Sequence, residues 1–235
     1  METKKIKTAV ILAGGRGKRL SEQTHKIPKP LVRLNNIPLI VYVIKKLKND
    51  GIKNFYILVG YKKEEIIKYF DNNVIDDSIS INVIDTGLNT GTAQRIKKIQ
   101  DKIQNEPFLI TYSDTLSSVP VYKIEELLTD KDVLSLCAIP KSERFGILTI
   151  EDDNSIKQFQ EKAISTTEFI NGGYICCNPS IFDYIYKEDE DLSRDVLEKN
   201  IPTNKMKAYK YYGLWTAIDS QRDLENAEKM IKGDL

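Results

Sequence analysis

The chain has 235 residues, of which 41% are hydrophobic and 29% charged, the balance of an ordinary globular domain with one sizeable core. Its 35 Lys and Arg residues nearly cancel 34 Asp and Glu residues, and a net charge of +1 disfavours nucleic acid or a membrane surface as a partner. No apolar run approaches the roughly 20 residues that cross a bilayer and no cleavable leader is recognisable, so we expect a cytoplasmic location.

The first half of the chain alternates short apolar runs with amphipathic segments. This alternation is typical of strands linked by crossover helices in a parallel sheet. The predicted strands are Lys7 to Leu12, Asn54 to Val59, Ile79 to Ile84, Phe108 to Tyr112 and Val133 to Ile139. The predicted helices are Pro38 to Asn49, Lys63 to Phe70 and Gly91 to Ile103. The pattern therefore predicts an α/β fold with a mostly parallel sheet and helices on both faces.

The second half changes character from Phe145 onward, where short strands alternate with polar turns and predict a small antiparallel section. Helices are predicted again at Pro179 to Tyr186 and at Ser220 to Ile231. The acid run Glu188 to Asp191 between them is expected to be a solvated loop. No linker or repeat divides the chain, so residues 1–235 are predicted to form a single domain.

The three cysteines, Cys137, Cys176 and Cys177, have no metal-ligand spacing. We expect them to be reduced and structural, with Cys177 as a candidate reactive thiol.

A glycine-rich turn, LAGGRGKRL from Leu12 to Leu20, follows the first predicted strand. Glycines let backbone NH groups approach phosphates, while Arg16, Lys18 and Arg19 add positive charge. A dinucleotide fingerprint needs glycine where Leu20 stands, and a P-loop needs Ser or Thr where Arg19 stands, so neither motif fits. The turn alone leaves two interpretations open, a phosphate-binding loop or a tight turn with a solvated basic edge.

A rigid lysine follows the glycine-rich turn in the segment Pro28-Lys29-Pro30. Two prolines fix the backbone on either side, so the ammonium is held in a defined direction at low entropic cost. A lysine held in this way suits a phosphate, although the same segment alone is also typical of a rigid surface turn.

These two motifs and the order of the later segments resemble the sugar-nucleotide pyrophosphorylases, also called nucleotidyltransferases. Within that family the resemblance is greatest to the glucose-1-phosphate cytidylyltransferases. Segments in family order carry it along most of the chain: AVILAGGRGKRLSEQT, IPKPLV, GIKNFYILVGYKKEEIIKYF, IDTGLNTGTAQRIKKI, FLITYSD, RFGIL, FQEKA, INGGYICCNPSIFDYI and LWTAIDSQRDL. The resemblance implies a Rossmann-like fold of the GT-A type, with residues 1–140 binding nucleotide and residues 141–235 binding an acceptor.

The activity implied by the resemblance is Mg²⁺-dependent transfer of a nucleotidyl group from a nucleoside triphosphate to a small phosphorylated acceptor, with release of pyrophosphate. Arg19 and Lys29 match the residues that neutralise the transferred group, and Asp114 and Asp219 match the two metal ligands. Asp114 also follows a predicted core strand, where ligand sites of parallel sheets gather, and carboxylates suit Mg²⁺. The residues implied to contact the triphosphate are Leu12, Ala13, Gly14, Gly15 and Gly17.

Nucleobase choice is implied by DTGLNTGTAQR, residues 85–95, which resembles the cytidylyltransferase stretch DTG, two residues, T-x-TGGR. The likeness favours CTP, although Ala93 and Gln94 replace the paired glycines of the family. The remaining residues implied to bind the nucleotide are Thr86, Gly87, Thr92, Tyr112 and Ser113.

The acceptor is implied to meet Lys162, which matches the family's second lysine, and the Asn171-Gly172-Gly173 turn. A glycine pair in a strand is also typical of a bulge.

Three positions depart from the glucose pattern, namely Thr115, Ala163 and Asp195. They predict an acceptor other than glucose 1-phosphate. The acceptor could be another sugar phosphate for surface polysaccharide, or a non-sugar phosphate, as in a related branch that cytidylylates phosphorylated glutamine for capsule modification.

Other function classes fit less well. A nicotinamide-dependent oxidoreductase needs an acidic residue where Gly60 stands, and a glycosyltransferase needs a D-x-D motif beside the nucleotide, whereas Asp189-Glu190-Asp191 lies in a late loop. A catalytically silent regulatory member of the family is disfavoured because both metal-binding aspartates are kept. The sequence leaves the oligomeric state open, a homo-oligomer included.

Overall fold

The computed structural model describes residues 6–17, 20, 27–103, 105–143, 146–161, 164–187 and 189–233. The strands within these ranges are β1 (Thr8–Ala13), β2 (Arg33–Leu34), β3 (Ile37–Pro38), β4 (Asn54–Val59), β5 (Ser80–Asp85), β6 (Phe108–Tyr112), β7 (Thr115–Ser117), β8 (Leu134–Ser142), β9 (Ile147–Ile150), β10 (Ile156–Gln160), β11 (Ile164–Cys177), β12 (Met206–Lys210) and β13 (Trp215–Ala217).

The helices alternate with these strands along the first half of the chain, as the sequence pattern predicts. The α-helices are α1 (Leu39–Asn49), α2 (Lys63–Asn72), α3 (Thr92–Lys97), α4 (Val121–Glu125), α5 (Glu198–Asn200), which continues a π-helical segment over Leu192–Leu197, and α6 (Gln221–Gly233). The 3₁₀ turns are Lys29–Leu31, Gln100–Lys102, Pro179–Tyr184 and Ile201–Thr203. No helix in the described ranges is long and apolar enough to cross a membrane.

One seven-stranded sheet with the order β12-β8-β11-β6-β1-β4-β5 forms the centre of the fold. Strand β1 is parallel to both of its neighbours, β6 and β4. Strand β4 is also parallel to β5, and β12 is parallel to β8. Only β11 runs against its two neighbours in this sheet. The predicted α/β fold with a mostly parallel, mixed sheet is confirmed, and strands from both halves of the chain share that sheet.

Alternation along β1 explains why helices cover both faces of the sheet. Ala9 and Ile11 pack on one face with the apolar stripe of α1, whereas Val10 and Leu12 pack on the other face with α3 and the 179–184 turn. Successive strand residues point to opposite faces, so a strand that is apolar throughout must be covered twice. The strand β1 is therefore buried from both sides and forms a rigid base for the loop that follows it.

Strand order also locates the crevice of the sheet. The chain passes from β1 to β4 and β5 on one side, then crosses to place β6 on the other side of β1. Connections that leave neighbouring parallel strands in opposite directions open a crevice at their carboxyl ends. The crevice here lies between the residues that follow Ala13 and those that follow Tyr112.

Two predicted α-helices are wound differently in the structure. The segment predicted as a helix over Gly91 to Ile103 is α-helical only to Lys97, because the amide of Ile99 bonds to the carbonyl of Ile96 and tightens the turn. Ile96, Ile99 and Ile103 still share one buried cluster. Apolar spacing therefore identified the buried face but could not distinguish α from 3₁₀ winding, for which the spacing is similar.

The other misassigned helix, predicted over Pro179 to Tyr186, is a 3₁₀ turn over Pro179–Tyr184. The amide of Asn178 is bonded to the carbonyl of Val133, and the chain is extended again at Ile185. Such a short span between two fixed points suits the tighter 3₁₀ winding, which occurs in short pieces.

The three thiols provide a test of this core. Cys137, Cys176 and Cys177 are buried and form no disulfide, and burial raises the pKa of each thiol, to about 12 for Cys137. Because the thiolate is the reactive form, we expect a reagent such as DTNB to leave all three unmodified in the native protein and to titrate all three after unfolding in guanidinium. Rapid labelling of the native protein would contradict this core arrangement, and Cys177 in particular is not placed for reaction.

Candidate functional site

A cavity of about 410 Å³ opens at the carboxyl ends of β1 and β6. Small-molecule sites occupy roughly 300–1,000 Å³, so its size suits a nucleotide-sized ligand. Predicted site residues that line it are Leu12, Ala13, Gly14, Gly15, Gly17, Lys29, Thr92, Tyr112, Ser113, Asp114 and Asp219. Other lining residues are Arg16, Pro30, Leu88, Thr90 and Arg95.

The glycine-rich turn forms the floor of the cavity. The carbonyl of Gly14 accepts a hydrogen bond from the amide of Tyr61 at 3.2 Å, which ties the turn to the end of β4. The guanidinium of Arg16 lies over the ring of Tyr61, 5.7 Å from its centroid. The turn thus presents backbone and a positive side chain to the cavity, as a phosphate-binding loop requires. Arg19, predicted to act beside it, lies outside the described residues, as does Lys18.

Lys29 reaches the cavity from a 3₁₀ turn whose start is fixed by two prolines. The amide of Leu31 bonds to the carbonyl of Pro28 at 2.9 Å, and Pro30 is buried. The ammonium of Lys29 lies 2.5 Å from Oδ2 of Asp114 and 2.8 Å from Oδ1 of Asp219. Burial opposes the charged form, yet these two carboxylates outweigh it and raise the pKa of Lys29 above its ordinary value.

The two aspartates are distant in the sequence and are joined by a short antiparallel ribbon. Strand β7 follows Asp114 and pairs with β13, which precedes Asp219. The amide of Ile218 donates to the carbonyl of Asp114 at 3.0 Å and closes the ribbon at the cavity. Beyond it, the carboxylate of Asp223 accepts the amides of Asp219 and Ser220 at the start of α6. The start of α6 therefore fixes the backbone of Asp219, and the ribbon fixes the backbone of Asp114.

The donor set of this cluster fits Mg²⁺. Both carboxylates touch the same ammonium nitrogen, so Asp114 and Asp219 are able to converge on one cation. Within the described part of the chain, no group of three or more His, Cys, Asp or Glu side chains could hold a metal. Two carboxylates without further protein ligands match the usual Mg²⁺ site, which is completed by water and substrate phosphates.

A buried arginine forms the back wall. Nη1 of Arg95 donates to the carbonyls of Val59 at 3.0 Å and Gly87 at 2.7 Å and to the hydroxyl of Thr86 at 2.5 Å. Its Nη2 lies 3.5 Å from the carbonyl of Gly14. A Cβ added at Gly14 would come within 2.4 Å of the guanidinium, so the turn requires glycine there for this close approach.

The charge of Arg95 is not cancelled within its own hydrogen-bond network. The oxygens that accept from it are neutral carbonyl and hydroxyl oxygens. Burial lowers its pKa and Asp85 raises it, but an arginine remains charged in proteins at neutral pH. Among the described lining residues, Arg16, Lys29 and Arg95 supply three positive charges against the two of Asp114 and Asp219. The cavity therefore favours an anion.

The acid run was expected to be a solvated loop, but its residues Glu190 and Asp191 are hydrogen-bonded to the start of α3. The carbonyl of Glu190 accepts the amide of Ala93 at 3.0 Å, and Oδ2 of Asp191 accepts the hydroxyl of Thr92 at 2.9 Å. A Cβ at Gly91 would come within 2.2 Å of the carbonyl oxygen of Glu190. Glu190 itself is buried. The expectation was wrong because charge composition does not reveal that helix NH groups offer partners for this loop.

The residues predicted to contact the base are divided by this arrangement. Thr92 lines the cavity, whereas Ala93 is fully buried and Gln94 turns outward to donate to the carbonyl of Lys187 at 2.8 Å. Thr86 and Gly87 lie behind the wall as partners of Arg95.

The end of β6 forms the opposite wall. Tyr112 and Ser113 line the cavity, and the amide of Ser113 is bonded to the carbonyl of Leu12 at 3.3 Å. Burial raises the pKa of Tyr112, and its neutral hydroxyl is hydrogen-bonded to the side chain of Ser193.

Of the residues predicted to bind the acceptor, those of the Asn171-Gly172-Gly173 turn are described in the structure, and they do not line this cavity. Oδ1 of Asn171 accepts the amide of Gly173 at 2.9 Å, and the carbonyl of Gly172 accepts Nε1 of Trp215 at 2.7 Å. The register of β11 shifts between Asn171 and Ile175, so the glycine pair lies in a bulge of the strand.

Two positions that depart from the family pattern, Thr115 and Asp195, are also absent from the cavity lining. Thr115 is buried at the start of β7, and the carboxylate of Asp195 pairs with Arg194 and Lys199. Lys162 and Ala163 lie outside the described residues. The predicted acceptor contacts thus stay predictions.

Arg95 is the main residue that sequence reasoning missed as part of the site. It ends the stretch that predicts the base, but nothing in its spacing indicates a buried side chain that bridges three loops. Thr90 and Leu88 belong to the same stretch and line the cavity.

Comparison with known proteins shows the family of the chain. The chain matches the family described as Nucleotidyl transferase over residues 8–232. It is 35% identical to a probable glucose-1-phosphate cytidylyltransferase of Bacillus subtilis, over 94% of this chain and 95% of the relative. It is 32% identical to a D-glycero-alpha-D-manno-heptose 1-phosphate guanylyltransferase of Aneurinibacillus thermoaerophilus, over 95% and 98%. The crystal structure of HddC from Yersinia pseudotuberculosis has the same fold, with a TM-score of 0.78, 24% identity, and coverage of 96% and 100%.

The Arg95 network predicts a specific response to Arg95→Lys. Lysine keeps the charge but cannot reach several carbonyls with a planar fork, so buried oxygens lose their donors. We expect the free energy of unfolding to fall by about 2 kcal/mol or more, measured by guanidinium denaturation.

The matched control is Arg33→Lys, since Arg33 is exposed and donates to the carbonyl of Asn36 on the surface. This variant should unfold within about 0.5 kcal/mol of the wild type. Equal stability of the two variants would refute the structural role of Arg95.

Proposed function

Because the chain belongs to the Nucleotidyl transferase family, we propose that it transfers the cytidylyl group of CTP to a sugar 1-phosphate and releases pyrophosphate. The observation that carries the proposal is the convergence of Lys29, Asp114 and Asp219 beside the glycine-rich turn. Sugar 1-phosphates are named as the acceptors of relatives that this chain resembles along nearly its whole length.

The chemistry of the transfer explains the residues present. An acceptor phosphate oxygen attacks the α-phosphorus, a new phosphorus–oxygen bond forms, and the bond to the departing pyrophosphate breaks. The attacking oxygen is already an anion and needs no general base, so catalysis consists of positioning and charge neutralisation. The cavity supplies these through the backbone of the glycine-rich turn and the cations Arg16, Lys29 and Arg95.

Asp114 and Asp219 would hold Mg²⁺ in this reaction. When bound there, Mg²⁺ supplies positive charge to the phosphate oxygens. Asp114 directly precedes β7 and Asp219 follows β13, so the paired ribbon holds the spacing of the two residues without rearrangement of the main chain. Lys29 is close enough to the same point to neutralise a phosphate oxygen bound beside them.

The preference for CTP rests on the stretch from Asp85 to Arg95. Its likeness to the cytidylyltransferase motif and the 35% identity to a probable cytidylyltransferase support this base. Leu88, Thr90 and Thr92 from the stretch line the cavity and are in position to meet a nucleobase. A guanylyltransferase at 32% identity makes GTP the competitor to test.

A pyrophosphate-release screen tests the proposed function. The screen crosses CTP, GTP, UTP and dTTP with glucose 1-phosphate, other sugar 1-phosphates and non-sugar phosphates in the presence of Mg²⁺. We expect CTP with one sugar 1-phosphate to give the highest kcat/KM, at or above roughly 10⁴ M⁻¹ s⁻¹.

The same screen tests the prediction, made from the sequence, that glucose 1-phosphate is a poor acceptor. Highest turnover with a non-sugar phosphate would refute the proposed acceptor, and highest turnover with GTP would refute the proposed base. Absence of pyrophosphate release in every combination would favour a silent regulatory protein.

The metal-binding assignment predicts the effect of Asp114→Asn and Asp219→Asn. Each change removes an anionic ligand while preserving side-chain size, and we expect kcat to fall by at least about 100-fold with the fold retained, as judged by circular dichroism. Asp130→Asn is the control, since Asp130 is an exposed loop residue outside the cavity. Near-normal Mg²⁺-dependent turnover in either site variant would refute the assignment.

A further inference from the structure

The ammonium of Lys29 lies where a bound cation would neutralise the aspartate pair. It is 2.5 Å from Oδ2 of Asp114 and 2.8 Å from Oδ1 of Asp219, and the lysine side chain is 11% exposed. Two acidic side chains held this close repel each other unless a positive charge lies near both. In this arrangement Lys29 supplies that charge.

A second cation cannot simply be added to this arrangement. A divalent ion bound by Asp114 and Asp219 would approach the ammonium of Lys29, and like charges at such a separation repel strongly in a partly buried site. One oxygen of each carboxylate, Oδ2 of Asp114 and Oδ1 of Asp219, is also occupied by the contact with Lys29. Metal binding by the pair therefore favours withdrawal of the Lys29 ammonium.

Lys29 is built so that its ammonium can move while its backbone stays fixed. Pro28 and Pro30 set the main chain, and the 3₁₀ turn is closed by the amides of Leu31 and Val32. The four-carbon stem of lysine keeps its rotatable bonds. A short swing of the side chain can carry the ammonium from the carboxylates toward the glycine-rich turn, which lines the same cavity.

We propose that Lys29 serves as the stand-in cation of the Asp114–Asp219 pair until a triphosphate draws it away, so that a divalent metal enters with the nucleotide and not ahead of it. This inference rests on the proposed function, because a triphosphate is the anion expected to attract the lysine. It assigns Lys29 two opposite effects: it competes with metal in the free protein and attracts phosphate when nucleotide arrives.

The test measures both effects without catalysis. Mn²⁺ binding to the nucleotide-free protein is followed by the electron paramagnetic resonance signal of free Mn²⁺, and CTP binding is measured by calorimetry in EDTA. For Lys29→Met we expect Mn²⁺ to bind at least about 10-fold more tightly than to the wild type, and metal-free CTP at least about 10-fold more weakly, in line with one charge-assisted contact.

Three further variants locate the effect. Lys29→Arg keeps the charge and should retain weak Mn²⁺ binding. Lys123→Met removes the same charge from an exposed pair with Glu126, outside the cavity lining, and should leave both affinities unchanged. Lys29→Met combined with Asp114→Asn should lose the tight Mn²⁺ binding, which would place the ion at the aspartate pair. A cooperative thermal unfolding transition of Lys29→Met without metal, followed by circular dichroism, shows that the variant is folded.

Two results would overturn the inference. Equal Mn²⁺ affinity in the wild type and Lys29→Met would mean that Lys29 does not compete for the carboxylates. Loss of both metal and CTP binding in a folded Lys29→Met protein would mean that the lysine only maintains the shape of the site. Both results are independent of the pyrophosphate-release screen, which uses the wild type alone. Failure of the proposed function can therefore be distinguished from failure of this inference.

Discussion

The site depends on one electrostatic constraint, the placement of two carboxylates around a single cation. Asp114 precedes β7 and Asp219 follows β13, its partner in the ribbon, and the repulsion between their carboxylates is offset by Lys29. A buried charge that loses its partner is costly, so each member of this cluster constrains the other two. The sheet, the Pro-Lys-Pro turn and the start of α6 thus meet at the cluster, and the cavity lies beside it.

A second network holds the back wall of the cavity. Arg95 joins the glycine-rich turn, the end of β4 and the loop after β5 through neutral oxygens, which do not cancel its charge. The late acidic segment holds α3, which carries Arg95, through the amide of Ala93 and the hydroxyl of Thr92. Both halves of the chain therefore shape the back wall.

Local sequence was sufficient for much of this arrangement. The alternation of apolar strand segments with amphipathic helix segments predicted the mostly parallel sheet, because a strand that is apolar on both faces must be packed against other elements on both faces. The glycine-rich turn, Lys29 and Asp114 were predicted as site residues from the residue types that suit phosphate and Mg²⁺, and the structure brings them to one cavity. Winding was predicted less well, as at Gln100–Lys102, since α and 3₁₀ turns bury similar positions.

The sequence by itself determined the fold class and the family and indicated the residue types proposed to meet phosphate and metal, because these follow from local pattern and motif. Only the tertiary structure decided which distant residues share the site. It brought Asp219 to Asp114, buried Arg95 against Gly14, and turned Gln94 away from the cavity. Such contacts depend on strand order and helix packing. These set the distances between residues far apart in the chain, which local sequence spacing does not indicate.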